Sequence, residues 1–253
     1  MTALRVDVNC DIGEVPGRQH RSPDEALMRI VTSVNVGAGP FAANPVMVRR
    51  TVTAALAQGL DVGVHVALPD SPVSGGGAAV QPTDLQDHCM YQIGAVAAFV
   101  HAEGGHVTHV KPHRDLHVIA SKDLALARAV ASATAAVLGE GTRLFMLDRR
   151  FARKFAQMGL QVVAAGFPEQ QYDDEGGLLP AHKQREWDPA QVAARAVAMV
   201  RDHAVRSAGG KQITVRPATL CVRSDGPDAA DVAARMVADL RAAGIRVAPM
   251  SVP

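Results

Sequence analysis

The densest run of reactive side chains is His106-Val-Thr-His109-Val-Lys111-Pro-His113-Arg114-Asp115-Leu-His117. In an extended chain His109, Lys111 and His113 project from one face, so they can line a common pocket. Lysine between two histidines suits proton relay and anion binding, because imidazole titrates near neutrality and an ammonium can hold a carboxylate. The competing reading is a metal site. Zinc sites usually carry short ligand pairs such as HExxH or CxxC, neither of which occurs, and the fixed charge of Lys111 opposes a second cation beside it. A lone histidine at a strand end is more often a structural group. Here the run has company: Asn9 with Asp11 and Glu14, then Asn35, then His65, then Arg223 with Asp225, each at the end of a separate Val-rich segment. Other candidates are weaker. Ser74-Gly75-Gly76-Gly77-Ala78-Ala79 lacks the GxxxxGK[ST] pattern of a phosphate loop and reads as a rim loop. Cys10 and Cys221 read as small apolar residues, and neither GxSxG nor GxGxxG is present.

Strands are expected at Leu4–Cys10, Ser33–Ala38, Asp61–Leu68, Val107–His113, Arg143–Leu147, Leu160–Phe167, Ala218–Arg223 and Ile245–Met250. Helices are expected at Pro23–Val31, Pro45–Gln58, Pro82–Glu103, Lys122–Leu138, Arg150–Met158, Pro189–Ser207 and Pro227–Ala243. Ser22-Pro23, Asn44-Pro45 and Asp188-Pro189 each place a capping side chain before a proline at the first helical position. Gly59, Gly104-Gly105, Gly159 and Gly244 supply the stops. This alternation predicts parallel strands joined by crossover helices. Several strands have one apolar and one polar parity: Val6 and Val8 against Asp7, Asn9 and Asp11, or Val62, Val64 and Val66 against Gly63 and His65. An apolar outer face under helices and a polar inner face predict a single (β/α) barrel, with a doubly wound open sheet as the alternative. The polar parity residues would then gather at the C-terminal rim, where barrel active sites lie.

Composition narrows the partners. Among 253 residues, 26 Lys+Arg against 25 Asp+Glu leave a net charge of +1, which argues against nucleic acid and anionic membrane surfaces. With 48% hydrophobic and 20% charged residues the chain can bury a sizeable core. Three cysteines without a CxxC pair suit a reducing cytoplasm. Early charges at Arg5 and Asp7 argue against a signal peptide, and no apolar run reaches membrane-spanning length. The expectation is one cytoplasmic domain over 1–253, with a homo-oligomer allowed.

The same segments carry a family resemblance. Val6-Asp-Val-Asn-Cys-Asp-Ile-Gly-Glu14 is similar to the opening D-x-N-x-D-x-G-E of the LamB/YcsF family, the A-type subunits of 5-oxoprolinase. Ser33-Val-Asn35, Gly63-Val-His65, Tyr91-Gln-Ile-Gly-Ala95, His109-Val-Lys-Pro-His113 and Cys221-Val-Arg-Ser-Asp225 follow in the order of the family's S-A-N, G-A-H-P, Y-Q-I-G-A, H-V-K-P-H-G and C-x-H-G-D. The resemblance implies a seven-stranded barrel related to polysaccharide deacetylases. It also implies ATP-dependent opening of 5-oxoproline, a cyclic amide, to glutamate with partner subunits of B and C type. The chain reads as a divergent member. Phe41 and Asn44 stand where the family has His and Asp, Arg114 follows His113 in place of Gly, and His117 replaces Tyr. Phe167-Pro-Glu169-Gln170-Gln-Tyr172 stands for F-A-D-R-x-Y, Ala181 for an Arg, and Arg223 for a His.

On this reading the chain cleaves a C–N bond in a small carboxylated cyclic amide. Asp11 and His113 are the base and acid, Lys111 holds a carboxylate or a developing oxyanion, and His65 orients the ligand. Asn9, Glu14, Asn35, Asn44, Arg114, Arg223 and Asp225 complete the substrate site. No tightly bound cofactor is expected, and ATP enters through the partner subunits. Two alternatives stand beside it: a binding subunit that has lost the chemistry, and a metal-dependent deacetylase-like hydrolase using a divalent ion at Asp11, His65 and His113.

Overall fold

Valine alternation builds the strands, and Ala-rich segments with proline entries and glycine exits build the helices between them. The computed structural model describes residues 4–13, 24–39, 44–68, 80–179, 188–225 and 228–252. In chain order the elements are β1 (Arg5–Ile12), α1 (Asp24–Met28), β2 (Ser33–Gly37), α2 (Pro45–Ala57), β3 (Asp61–Val66), α3 (Pro82–Ala102), β4 (His109–Pro112), α4 (Arg114–Lys122), α5 (Leu124–Leu138), β5 (Arg143–Met146), α6 (Ala152–Ala156), β6 (Gln161–Gly166), α7 (Pro189–Arg201), β7 (Ala204–Arg206), β8 (Gln212–Thr214), β9 (Thr219–Val222), α8 (Ala229–Ala242) and β10 (Arg246–Val247).

The main sheet runs β10-β1-β2-β3-β4-β5-β6-β9, and β1 also pairs with β9. Seven strands from β1 round to β9 therefore follow one another in a closed order, with β10 added beside β1. The pairings β1–β9, β3–β4, β4–β5 and β6–β9 are parallel. This is the (β/α) barrel expected from strand parity, and the open doubly wound sheet is set aside.

The chain divides into two compact units. One holds residues 34–163 and the segment beginning at Asp11; the other holds the rest of β1, residues 21–33 and everything from Ala164 onward. In the first, Val62, Val64, Val66, Leu85, Ile93, Val96, Leu144 and Phe145 are buried, with α3 packed along α5. In the second, Val6, Val8, Leu27, Met199, Leu220, Met236 and Leu240 are buried, with α7 packed along α8.

The capping expectations hold where residues are described. Asn44 accepts from the Met47 amide at 3.0 Å and Asp188 from the Ala190 amide at 2.7 Å. Gly59, Gly104, Gly159 and Gly244 all have φ between +69° and +78°, the left-handed stop. Ser22-Pro23 and the glycines at 75–77 lie outside the described residues.

Three expectations change. The strand expected over Val107–His113 ends at Pro112, and α4 begins at Arg114. Asp123 then caps a separate α5, accepting from the Ala125 and Leu126 amides, so the helix expected to start at Lys122 is two helices. The helix expected to reach Ser207 ends at Arg201, and the chain turns into the antiparallel pair β7–β8. Finally, β10 covers only two residues, with Pro249, which lacks a donor, close behind it.

Candidate active site

The parallel register of β3 and β4 sets His65 opposite Lys111 and Gly63 opposite His109. Asp11, near the end of β1, receives two donors on one carboxylate oxygen. The Lys111 ammonium donates to Oδ1 at 2.6 Å and the Asn35 side-chain amide donates to the same atom at 2.9 Å. His65 Nδ1 stands 3.6 Å from that oxygen. The His65 and His113 rings meet at a centroid distance of 4.7 Å. Lys111, His65 and His113 are buried, whereas Asp11 keeps about a fifth of its side chain exposed. A carboxylate, an ammonium and two imidazoles therefore converge where one edge still reaches solvent. Burial strengthens each of these interactions by excluding water.

Backbone contacts fix the arrangement. His113 follows β4 in extended conformation, and its amide donates to the Val66 carbonyl at 2.7 Å, tying it to the end of the strand that carries His65. Gln92 of α3 grips Ala67 from both sides: the Ala67 amide donates to Oε1 and Nε2 donates to the Ala67 carbonyl, each at 2.8 Å. A buried side-chain amide thus stands in for strand pairing just past β3. Gln92 received no role from sequence alone, although it sits inside the Tyr91-Gln-Ile-Gly-Ala95 motif; Tyr91 beside it is largely exposed.

His109 lies behind the cluster. Burial, then the charge of Lys111, lowers its pKa to about 3, so the imidazole is neutral at physiological pH. His117 is likewise held at about 3, chiefly by burial, and its Nδ1 donates to the Pro112 carbonyl at 3.3 Å. Arg114 is exposed and has φ +30°, which explains physically why glycine suits this position in the family motif.

The remaining sequence candidates make other contacts. The Asn9 amide donates to Thr219 Oγ1 at 2.6 Å. Thr219 in turn donates to Asp7, whose carboxylate also accepts from Ser33 at 2.8 Å and Thr32 at 2.7 Å. Here Asn9 belongs to a knot of polar side chains that satisfies the buried Asp7. Asn44 is an exposed helix cap. Arg223 and Asp225 form an exposed ion pair, Nε to Oδ1 at 2.9 Å. Glu14, Phe41 and Ala181 lie outside the described residues.

Glu169 is a second residue that gained no role from sequence. It accepts from the Arg223 amide at 2.7 Å, and burial raises its pKa to about 7 despite that bond. Its loop is clamped: Arg195 donates to the carbonyls of Pro168 and Gln170, and Tyr172 OH accepts from the Phe167 amide. Its place in the Phe167–Tyr172 motif was the available signal.

As to metals, among the described residues no three His, Cys, Asp or Glu side chains are placed to hold an ion. The Lys111 ammonium already lies against the Asp11 oxygen that such an ion would need. The donor set fits an ion pair with two histidines better than a metal centre.

Residues 6–253 match the LamB/YcsF family over its motifs. The chain belongs to the LamB/YcsF family. A member from Methylococcus capsulatus, the A-type subunit of 5-oxoprolinase, is 35% identical over 98% of this chain and 96% of its own length. Another LamB/YcsF-like match is the crystal structure of the lactam utilization protein from Thermus thermophilus. It is 33% identical, covers 98% of this chain and 100% of its own, and superposes with a TM-score of 0.87. The barrel itself reaches further: the T48 deacetylase shares it at 12% identity and a TM-score of 0.51, a likeness of fold alone.

Proposed function

We propose that this chain hydrolyses the C–N bond of a small cyclic amide carrying a carboxylate, with 5-oxoproline, which opens to glutamate, as the first substrate to test. The observation that carries the reading is the Asp11 carboxylate beside the Lys111 ammonium at 2.6 Å, with the His65–His113 pair next to it. The names of relatives alike over nearly the full length support the substrate class.

Asp11 takes a proton from water as its oxygen bonds to the amide carbon. Lys111 faces the negative charge that develops on the carbonyl oxygen, the interaction that contributes most when water is excluded. His113 delivers a proton to the departing nitrogen as the C–N bond breaks, and His65 packs against its ring and orients it. One water is consumed, and one amine and one carboxylate appear. Asn35 holds Asp11 in place. ATP enters in the reaction as run by the complete assembly, through B- and C-type subunits.

The test is glutamate release from 5-oxoproline by the purified chain, alone and with B- and C-type subunits plus ATP. Release is expected in the complete mixture, and His113→Ala is expected to abolish it while the melting temperature stays near that of the parent. Undiminished turnover in His113→Ala would remove His113 from the mechanism.

A further inference from the structure

We propose that His109 is a positioning residue: its Nε2–H fixes the Asn35 side chain so that the amide nitrogen, and not the amide oxygen, faces Asp11. The importance of this for activity rests on the reading that Asp11 acts on the substrate; the geometry does not.

Proton accounting gives the argument. Thr108 Oγ1 lies 2.8 Å from His109 Nδ1, and His109 Nε2 lies 2.8 Å from Asn35 Oδ1. A carbonyl oxygen only accepts, so Nε2 must carry a proton. In the neutral imidazole Nδ1 is then an acceptor, and it takes the Thr108 hydroxyl proton. The alternative tautomer would set a bare Nε2 against a bare oxygen. Turning the Asn35 amide over would bring its oxygen against the Asp11 carboxylate and its NH2 against Nε2–H, two repulsive contacts in place of two hydrogen bonds. Asn35 and His109 are both buried, so water does not soften that choice. If His109 is protonated in acid, Thr108 can turn its hydroxyl to the Val62 carbonyl, 3.1 Å away, and Nε2–H still faces Asn35. The amide orientation is therefore the same in either protonation state.

The ring is held as firmly as its protons. Phe145 stacks on it at 4.1 Å and 9° between planes. On the other side is Gly63, where a Cβ would stand 2.2 Å from Nε2. The bare backbone of β3 makes the room that His109 needs to reach Asn35. The chain Thr108–His109–Asn35–Asp11 is a run of fixed donors ending on the carboxylate, as outer-shell partners orient working groups elsewhere.

Two arms test this. In the wild-type protein, long-range proton–nitrogen NMR of His109 is expected to show Nε2–H with bare Nδ1 from pH 8 down to about 4, whether or not the protein turns over a lactam. The Nδ1–H tautomer would overturn the proposal outright. In the second arm, His109→Phe keeps the stack on Phe145 but removes the donor, and His109→Gln restores an N–H near the Nε2 position. The Asn35 side-chain amide signals are expected to shift in His109→Phe and to return in His109→Gln. With 5-oxoproline as substrate and the full assembly present, kcat should fall on the order of a hundredfold in His109→Phe with KM little changed, and recover largely in His109→Gln. Equal losses in both folded variants, or unmoved Asn35 signals in His109→Phe, would contradict it. If lactam turnover is absent while the NMR signals behave as stated, only the reaction reading fails.

Discussion

At the scale of single residues, His109 and His117 are neutral near pH 7 because burial holds both at about 3, and Glu169 is held at about 7 for the same reason acting on an acid. These shifts give stability slopes of opposite sign. An unfolded histidine binds its proton near 6.5 and the buried pair do not until about 3, so their contribution is complete above about 6.5 and is lost as pH falls toward 3. Glu169 titrates near 4.5 when unfolded and about 7 when folded, so its contribution is present below about 4.5 and is lost as pH rises through 7. Melting temperatures between pH 4 and 8 should therefore climb through the acid range. His117→Phe should flatten that climb, and Glu169→Gln should remove a decline approaching pH 7. A Glu169→Gln variant whose pH profile matches the parent's would show that this carboxyl titrates normally. Cys89 is pushed up to about 12 by burial and should be inert to thiol reagents in the folded chain.

At the scale of elements, the site depends on what lies just past the strands. Gln92 of α3 satisfies both the amide and the carbonyl of Ala67, so Gln92→Leu leaves two buried backbone groups unbonded and should cost about 2–4 kcal/mol in denaturant unfolding. Gly63→Ala drives a methyl into the His109 ring and should cost about 1–3 kcal/mol, with a loss of activity larger than the loss of stability explains. Strand positions and the members of the central cluster were legible from alternation, because a period of two tells which residues share a face. Depth along that face was not legible. Asn9 and Asp11 share a parity, yet Asn9 bonds to Thr219 while Asp11 meets Lys111. The α4–α5 break was hidden because Asp123 interrupts a run that stays helical on both sides. The β7–β8 pair escaped because three-residue strands carry too little alternation to stand out after α7. Gln92 and Glu169 act through backbone groups, which no pattern of side chains announces.

At the scale of the molecule, a near-zero net charge conceals the uneven distribution that matters, a buried ammonium and imidazoles gathered around one carboxylate. Among the described residues no helix is long and apolar enough to cross a membrane. The closed strand order brings the ends of β1, β3 and β4 to one cluster, although Asp11 and Lys111 lie 100 residues apart in sequence. Membership in the LamB/YcsF family, whose relatives are named as one component of a larger enzyme, leads us to expect co-elution with B- and C-type subunits on size exclusion; separate elution at micromolar concentration would count against a stable assembly. The central claim is ring opening at the Asp11–Lys111–His113 cluster, and the most direct measurement is glutamate formed from 5-oxoproline by the chain with those partners and ATP, compared with the same mixture carrying His113→Ala. Glutamate in the first and none in the second is the predicted result; no glutamate in either, or equal amounts in both, would contradict it.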